Sequence, residues 1–222
     1  MELSPRLIDV AVPPRPAGVV LVLHGGASRP DSPMVSPTQL SVLRMLPIAW
    51  RIAAAGHRRL AVFRLLNSRR GWDSEHTPVN DARWALAGIA ERLGALPTCL
   101  VGHSLGGRAA LLAAGQARSV VALAPWVYPA DVPPGLDGQR ILIVHGARDR
   151  VASPQRSAAL ARALAIRARV GYVSVRDGTH SMLRHHRLFD GLAADFAAST
   201  LLDLPLRGPL ARLADGEPWI EL

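Results

Sequence analysis

The run T-C-L-V-G-H-S-L-G-G-R-A-A-L, residues 98–111, decides how the rest of the chain is read. An apolar stretch at 99–101 arrives at Gly102, one hydroxyl at Ser104 stands between Gly102 and Gly106, and small apolar residues then follow in a helix-compatible pattern. A strand that turns directly into a helix leaves little room for side chains at its corner, so glycine on both sides of a single serine suits such a turn. The corner lifts the Ser104 hydroxyl clear of the chain. The start of the following helix sets backbone N–H groups, and the positive end of the helix dipole, beside it. The spacing G-x-S-x-G is weak by itself; the strand before it and the helix after it give it weight.

Outward from this corner, short β-rich runs alternate with helical patterns. Strands are predicted at 7–12 (an edge), 19–25, 59–66, 98–103, 119–125, 140–146 and 170–177, with helices near 38–55, 79–94, 106–116, 154–167 and 185–201. Alternation of this kind implies an α/β fold in three layers, a doubly wound and mostly parallel sheet of about six or seven strands with helices on both faces. In the 79–94 segment Asn80 or Asp81 suits a cap, and Trp84, Leu86, Ile89 and Leu93 recur at helical spacing. One domain over 1–222 is expected, with its core at 17–200 and a Pro- and Gly-rich tail at 202–222 that packs as a strap or stays mobile.

Composition narrows the function classes. The chain is 222 residues long, 49% hydrophobic and 19% charged, which suits a soluble globular protein. Its apolar runs are too short to span a bilayer, and its first residues lack the pattern of a secretory signal. One cysteine, Cys99, allows no internal disulfide, so the cytoplasm is the expected compartment. The formal net charge of +9 comes from 26 basic residues that are all arginine, scattered rather than gathered into a stripe. No nucleic-acid-binding motif accompanies them, and no nucleic-acid or membrane partner is expected.

A serine nucleophile needs a base, and the base an orienting acid. Of eight histidines, His180 in V-R-D-G-T-H-S-M-L lies just after the last predicted strand, at the C-terminal sheet edge where open α/β sheets build their sites. His24 and His145 each end a strand as H-G, where an imidazole can hold a loop, and His103 lies inside the corner itself. Asp149 in H-G-A-R-D-R-V follows the preceding strand and gives the chain order Ser104, Asp149, His180. Asp131 and Asp177 are rivals for the acid, Asp177 better suited to shaping the turn before the base. Donors to an oxyanion are expected from the N–H of Leu105 and from Gly26 or Ala27 in L-V-L-H-G-G-A-S.

With H-G-G, G-H-S-L-G-G, H-G-A-R-D-R-V and D-G-T-H in this order, the chain resembles the α/β-hydrolase family over roughly residues 17–200. The resemblance implies a serine hydrolase working through an acyl-enzyme with no metal or organic cofactor. The first loop reads H-G-G-A rather than H-G-G-G, and the 125–139 segment is too short for a large lid, which favours a small, open esterase-like enzyme. Met34, Trp72, Trp126, Tyr128 and Met182 are candidates for contact with a small-molecule acyl substrate. Arg69 and Arg70 either bind an anionic group or form a solvated loop. An acyltransferase or thioesterase, or a non-catalytic binding module on the same fold, are the alternative readings.

Overall fold

A parallel strand buried on both faces must be apolar at every position, and Gly18–Leu23 (GVVLVL) meets that condition with all six residues buried. In the computed structural model, which describes residues 4–26 and 35–222, this run is β2. The other strands are β1 (Arg6–Ala11), β3 (Leu60–Leu66), β4 (Thr98–His103), β5 (Ser119–Leu123), β6 (Arg140–Gly146), β7 (Arg169–Val175) and β8 (Trp219–Glu221). All eight form a single sheet in the order β1-β3-β2-β4-β5-β6-β7-β8. β1 runs antiparallel to β3, and every other pairing is parallel.

Helices α1 (Leu40–Leu43), α2 (Met45–Ala55), α3 (Thr77–Leu93), α4 (Leu105–Leu112), α5 (Pro154–Leu164), α6 (His186–Leu202) and α7 (Ala211–Ala214) complete the fold. Alternation along β2 divides the core into two layers. Val20 and Val22 pack with α2 and α6 on one face, whereas Val19, Leu21 and Leu23 pack with α3, α4 and α5 on the other. From β2 the chain moves outward to β3 and then crosses back to β4, so the strand order reverses between β2 and β4. Side chains leaving the C-terminal ends of these strands enter the crevice that such a reversal opens. Among the described residues no helix is long and apolar enough to cross a membrane.

Three local readings change. The helix predicted over 38–55 is broken at Arg44, because Pro47 has no N–H to give to the Leu43 carbonyl and is tolerated only in the first turn of α2. Arg44 fills the break: its Nε donates to the Ser181 carbonyl at 2.9 Å and its Nη2 to Asp190 at 2.8 Å. α3 begins at Thr77, capped by Asp73, which accepts from the Thr77 N–H at 2.9 Å and from its hydroxyl at 2.6 Å. Neither Asn80 nor Asp81 is the cap. Asp81 is buried and takes the Ser68 N–H at 2.8 Å, and half-exposed Trp84 lies off the packed face.

The third change is the tail. Residues 219–221 pair in parallel with Tyr172–Ser174 and add an eighth strand, with Ile220 and Leu210 buried beneath them. The Trp219 ring lies 4.8 Å from that of Tyr172, and the Arg162 guanidinium sits 4.9 Å over Trp219. A three-residue strand has too few positions to show a period, which is why the composition of 202–222 concealed it.

Candidate active site

Close backbone approach builds the corner after β4. A Cβ on Gly106 would lie 2.5 Å from the carbonyl oxygens of Leu23 and His24, and one on Gly102 would lie 2.1 Å from the Gly106 oxygen. Only hydrogen fits at either place. Ser104 itself takes φ +56°, ψ −118°, a left-handed conformation that costs a non-glycine residue about 1–3 kcal/mol. It is held there by the hydrogen bond of its N–H to the Leu123 carbonyl at 2.9 Å. Its own carbonyl accepts from the N–H groups of Trp126 and Arg108, each at 3.1 Å.

The loops after β6 and β7 bring two further side chains to this serine. His180 Nδ1 lies 2.7 Å from Asp149 Oδ2, and His180 Nε2 lies 2.9 Å from Ser104 Oγ. Burial works to raise the Asp149 carboxyl. Hydrogen bonds from His145, His180 and the Ala152 N–H outweigh it and hold that carboxyl well below the usual carboxylate range. An ionised Asp149 can only accept, so His180 Nδ1 carries the proton and Nε2 accepts from the Ser104 hydroxyl. The Asp149 side chain is wholly buried and that of His180 is 19% exposed, so the imidazole faces solvent and the carboxylate does not.

Both rival acids are engaged elsewhere. Asp177 pairs with Arg148 at 2.9 Å on the surface, and Asp131 pairs with Arg108 at 2.9 Å. The loops that carry Asp149 and His180 touch without side chains between them. A Cβ on Gly146 would come within 2.3 Å of the Gly178 backbone, and the Arg148 N–H donates to the Gly178 carbonyl at 2.9 Å.

Three further histidines, expected only to hold loops or to neighbour the corner, each have a specific partner. His103 Nε2–H donates to the His180 carbonyl at 2.9 Å, bracing the His180 loop from beside Ser104. Burial, and then the nearby His180, push the His103 ring down to about 3, so it stays neutral. His24 donates through Nδ1 to the Gly25 carbonyl at 2.6 Å and accepts the Asn67 N–H at Nε2 at 3.1 Å, joining the ends of β2 and β3. Burial lowers it to about 4. His145 reaches Asp149 itself, with Nε2 at 3.0 Å from Oδ2.

Of the expected oxyanion donors, Leu105 opens α4 directly after Ser104, and Gly25–Gly26 lie against the corner. A Cβ on Gly25 would meet the Ser104 Cβ at 3.3 Å, and one on Gly26 would meet Leu105 Cδ1 at 3.3 Å. No carbonyl among the described residues takes up the Leu105 or Gly26 N–H. Ala27 and Met34 lie outside the described residues.

Trp72, Trp126 and Tyr128, which come from two separate loops, converge on one residue that the sequence did not single out. The Arg108 guanidinium, on the first turns of α4, lies 4.1 Å over Trp72, 5.3 Å over Trp126 and 5.1 Å over Tyr128. Trp126 also borders a hollow of about 260 Å³ beside the acid loop, which Asp149 and Arg156 help to line. Met182 does not reach a rim. Its side chain is fully buried in the core behind Gly178, so it backs the base loop instead of facing a substrate. Arg69 and Arg70 are exposed.

No family model matches the chain, and no curated protein matches it. Solved structures do. A Xanthomonas campestris protein described as an α/β serine hydrolase without lid shares 19% identity at a TM-score of 0.64, covering 92% of this chain and 90% of that one. The esterase domain of a Rhodothermus marinus protein shares 18% identity at 0.61, covering 89% and 92%. An α/β serine hydrolase homologue from Coxiella burnetii shares 16% at 0.63, covering 86% and 90%. The chain has the α/β-hydrolase fold.

Proposed function

We propose that the protein is a serine hydrolase that cleaves the carboxylic ester or thioester of a small to medium acyl group through an acyl-enzyme on Ser104. The observation that carries this reading is the continuous hydrogen-bonded path from Ser104 Oγ through His180 to buried Asp149, on a backbone strained at the serine. His180 takes the Ser104 proton as Oγ attacks the carbonyl carbon. The N–H groups of Leu105 and Gly26 receive the oxyanion, with Ala27 the adjoining alternative. His180 then protonates the leaving oxygen or sulfur, and water repeats the sequence to free the acid. Asp149 keeps the imidazole in the reactive tautomer and stabilises its charged form. Side chains and backbone supply every step, so the mechanism calls for no cofactor.

The partner in this reading is a small-molecule acyl substrate, met at a rim where Trp126 and Tyr128 supply apolar surface. A reducing cytoplasm suits the single buried cysteine, whose thiol burial pushes up to about 12. The solved structures of like fold that carry the words esterase or serine hydrolase support the reaction class.

The test is hydrolysis of a p-nitrophenyl ester chain-length series, with labelling by a fluorophosphonate, on wild type and Ser104→Ala. Wild type is expected to label and to turn over short and medium esters, with Ser104→Ala unlabelled and slower by about 10⁴-fold or more. Equal activity in the two proteins, or a wild type that neither labels nor hydrolyses, overturns the reading.

A further inference from the structure

Asp149 holds two histidines on one oxygen. Its Oδ2 lies 2.7 Å from His180 Nδ1 and 3.0 Å from His145 Nε2, while its Oδ1 accepts the N–H groups of Val151 at 2.8 Å and Ala152 at 2.9 Å. Four donors therefore saturate the carboxylate. The geometry begins in the sequence H-G-A-R-D. His145 is the last residue but one of β6, and the tight turn that follows Gly146 folds the carboxylate four residues on back over its ring.

The His145 ring is fixed from its other side as well. Nε2 faces two acceptors, Asp149 Oδ2 and the Ala152 carbonyl at 3.2 Å, so it carries a proton. Nδ1 lies 2.7 Å from Ser157 Oγ, which in turn lies 3.2 Å from the Tyr172 hydroxyl. Tyr172 also donates to the Pro154 carbonyl at 3.2 Å. Neither the His145 nor the Asp149 side chain has any exposure, so no water competes for these bonds. A chain of polar groups thus runs from the start of α5 to the nucleophile, and every link in it is buried until His180.

We propose that His145 is a positioning residue for the acid. It fixes the plane of the Asp149 carboxylate and shares the charge on Oδ2, thereby setting the strength and direction of the His180 Nδ1–H bond. The inference rests on the serine-hydrolase reading for its kinetic consequence, but its structural core is testable without a substrate. Two variants separate the role from packing. His145→Leu fills the space without a donor, and His145→Gln restores an N–H donor toward Oδ2.

The readout is the low-field proton NMR resonance of His180 Nδ1–H in the free protein, beside kcat and KM on the best ester. His145→Leu is expected to move this resonance or broaden it away, and to lower kcat about tenfold with KM within about twofold. His145→Gln is expected to return both toward wild type. A resonance unmoved in His145→Leu, a glutamine variant indistinguishable from the leucine one, or a wild type without the resonance overturns the proposal. Should His145→Leu fail to fold, Ser157→Ala removes the partner at Nδ1 while leaving the ring. It is expected to shift the resonance by a smaller amount, and an unshifted resonance there counts equally against the role. Because the resonance is read without substrate, inactivity toward every ester would overturn the hydrolase reading and leave this one standing.

Discussion

At Gly106, exchanging one hydrogen for a methyl group decides whether the corner under the serine can close. The methyl would meet the carbonyl oxygens of Leu23 and His24, where β2 ends, at 2.5 Å, and neither is a flexible side-chain end that can swing aside. Gly106→Ala is therefore expected to cost about 1–3 kcal/mol or more in urea unfolding and to slow fluorophosphonate labelling of Ser104. Gly88 is the matched control. It sits inside α3 with nothing within 4 Å of its Cβ position, so Gly88→Ala is expected to stabilise by about 0.5–1 kcal/mol and leave labelling unchanged. Equal effects at the two glycines would show that helix propensity, and not the approach of α4 to β2, governs this corner.

Between elements, the hub is Arg108. Its guanidinium makes two 2.9 Å contacts with Asp131, which also accepts the Tyr128 N–H at 2.8 Å, and it lies over three aromatic rings from two loops. A planar fork that pairs and stacks at once has no equivalent in lysine. Arg108→Met, Asp131→Asn and the double variant form a cycle whose coupling energy is expected at about 0.5–3 kcal/mol in thermal unfolding. A coupling near zero would assign the contact to stacking alone. None of this showed in the sequence, because Arg108, Trp72, Trp126 and Asp131 belong to three segments with no shared local period. The three side chains that the fold brings into hydrogen-bonding distance, Ser104, Asp149 and His180, could be located in the sequence because each follows a strong apolar strand, and strand ends are what an alternating β/α pattern locates best. His145 was half legible: the H-G-x-x-D spacing was visible, but only the fold of the turn shows which side of the ring meets the carboxylate. The break at Arg44 was written in Pro47 and masked by an amphipathic pattern that runs through it.

Across the whole molecule, two buried neutral rings tie stability to pH. His103 and His24 have folded-state values pushed down to about 3 and about 4 from an ordinary 6.5, so below pH 6.5 the unfolded chain takes up protons that the folded chain refuses. Stability from this source is complete above 6.5 and falls as pH drops toward 4 and then 3, by about 1.4 kcal/mol per pH unit for each ring. Urea midpoints are expected to decline between pH 7 and pH 5, and to decline less steeply in His103→Gln, which keeps a donor for the His180 carbonyl. The same slope in both proteins would place the titration elsewhere.

The glycine contact between Gly146 and Gly178 has a consequence for how such a site can diversify. With the acid and base turns pressed backbone to backbone, a new side chain on either glycine of that seam must push both turns at once, so random variation there is punished in pairs. The aromatic residues at 72, 126 and 128 sit on loops outside that seam. On the proposed hydrolase reaction, a mutational library confined to those loops should yield altered selectivity in folded proteins, while one spread over residues 146–149 and 178–182 should yield mostly inactive ones. The inheritance of the site is thus lopsided: one half is fixed by its backbone, and the other only by side chains.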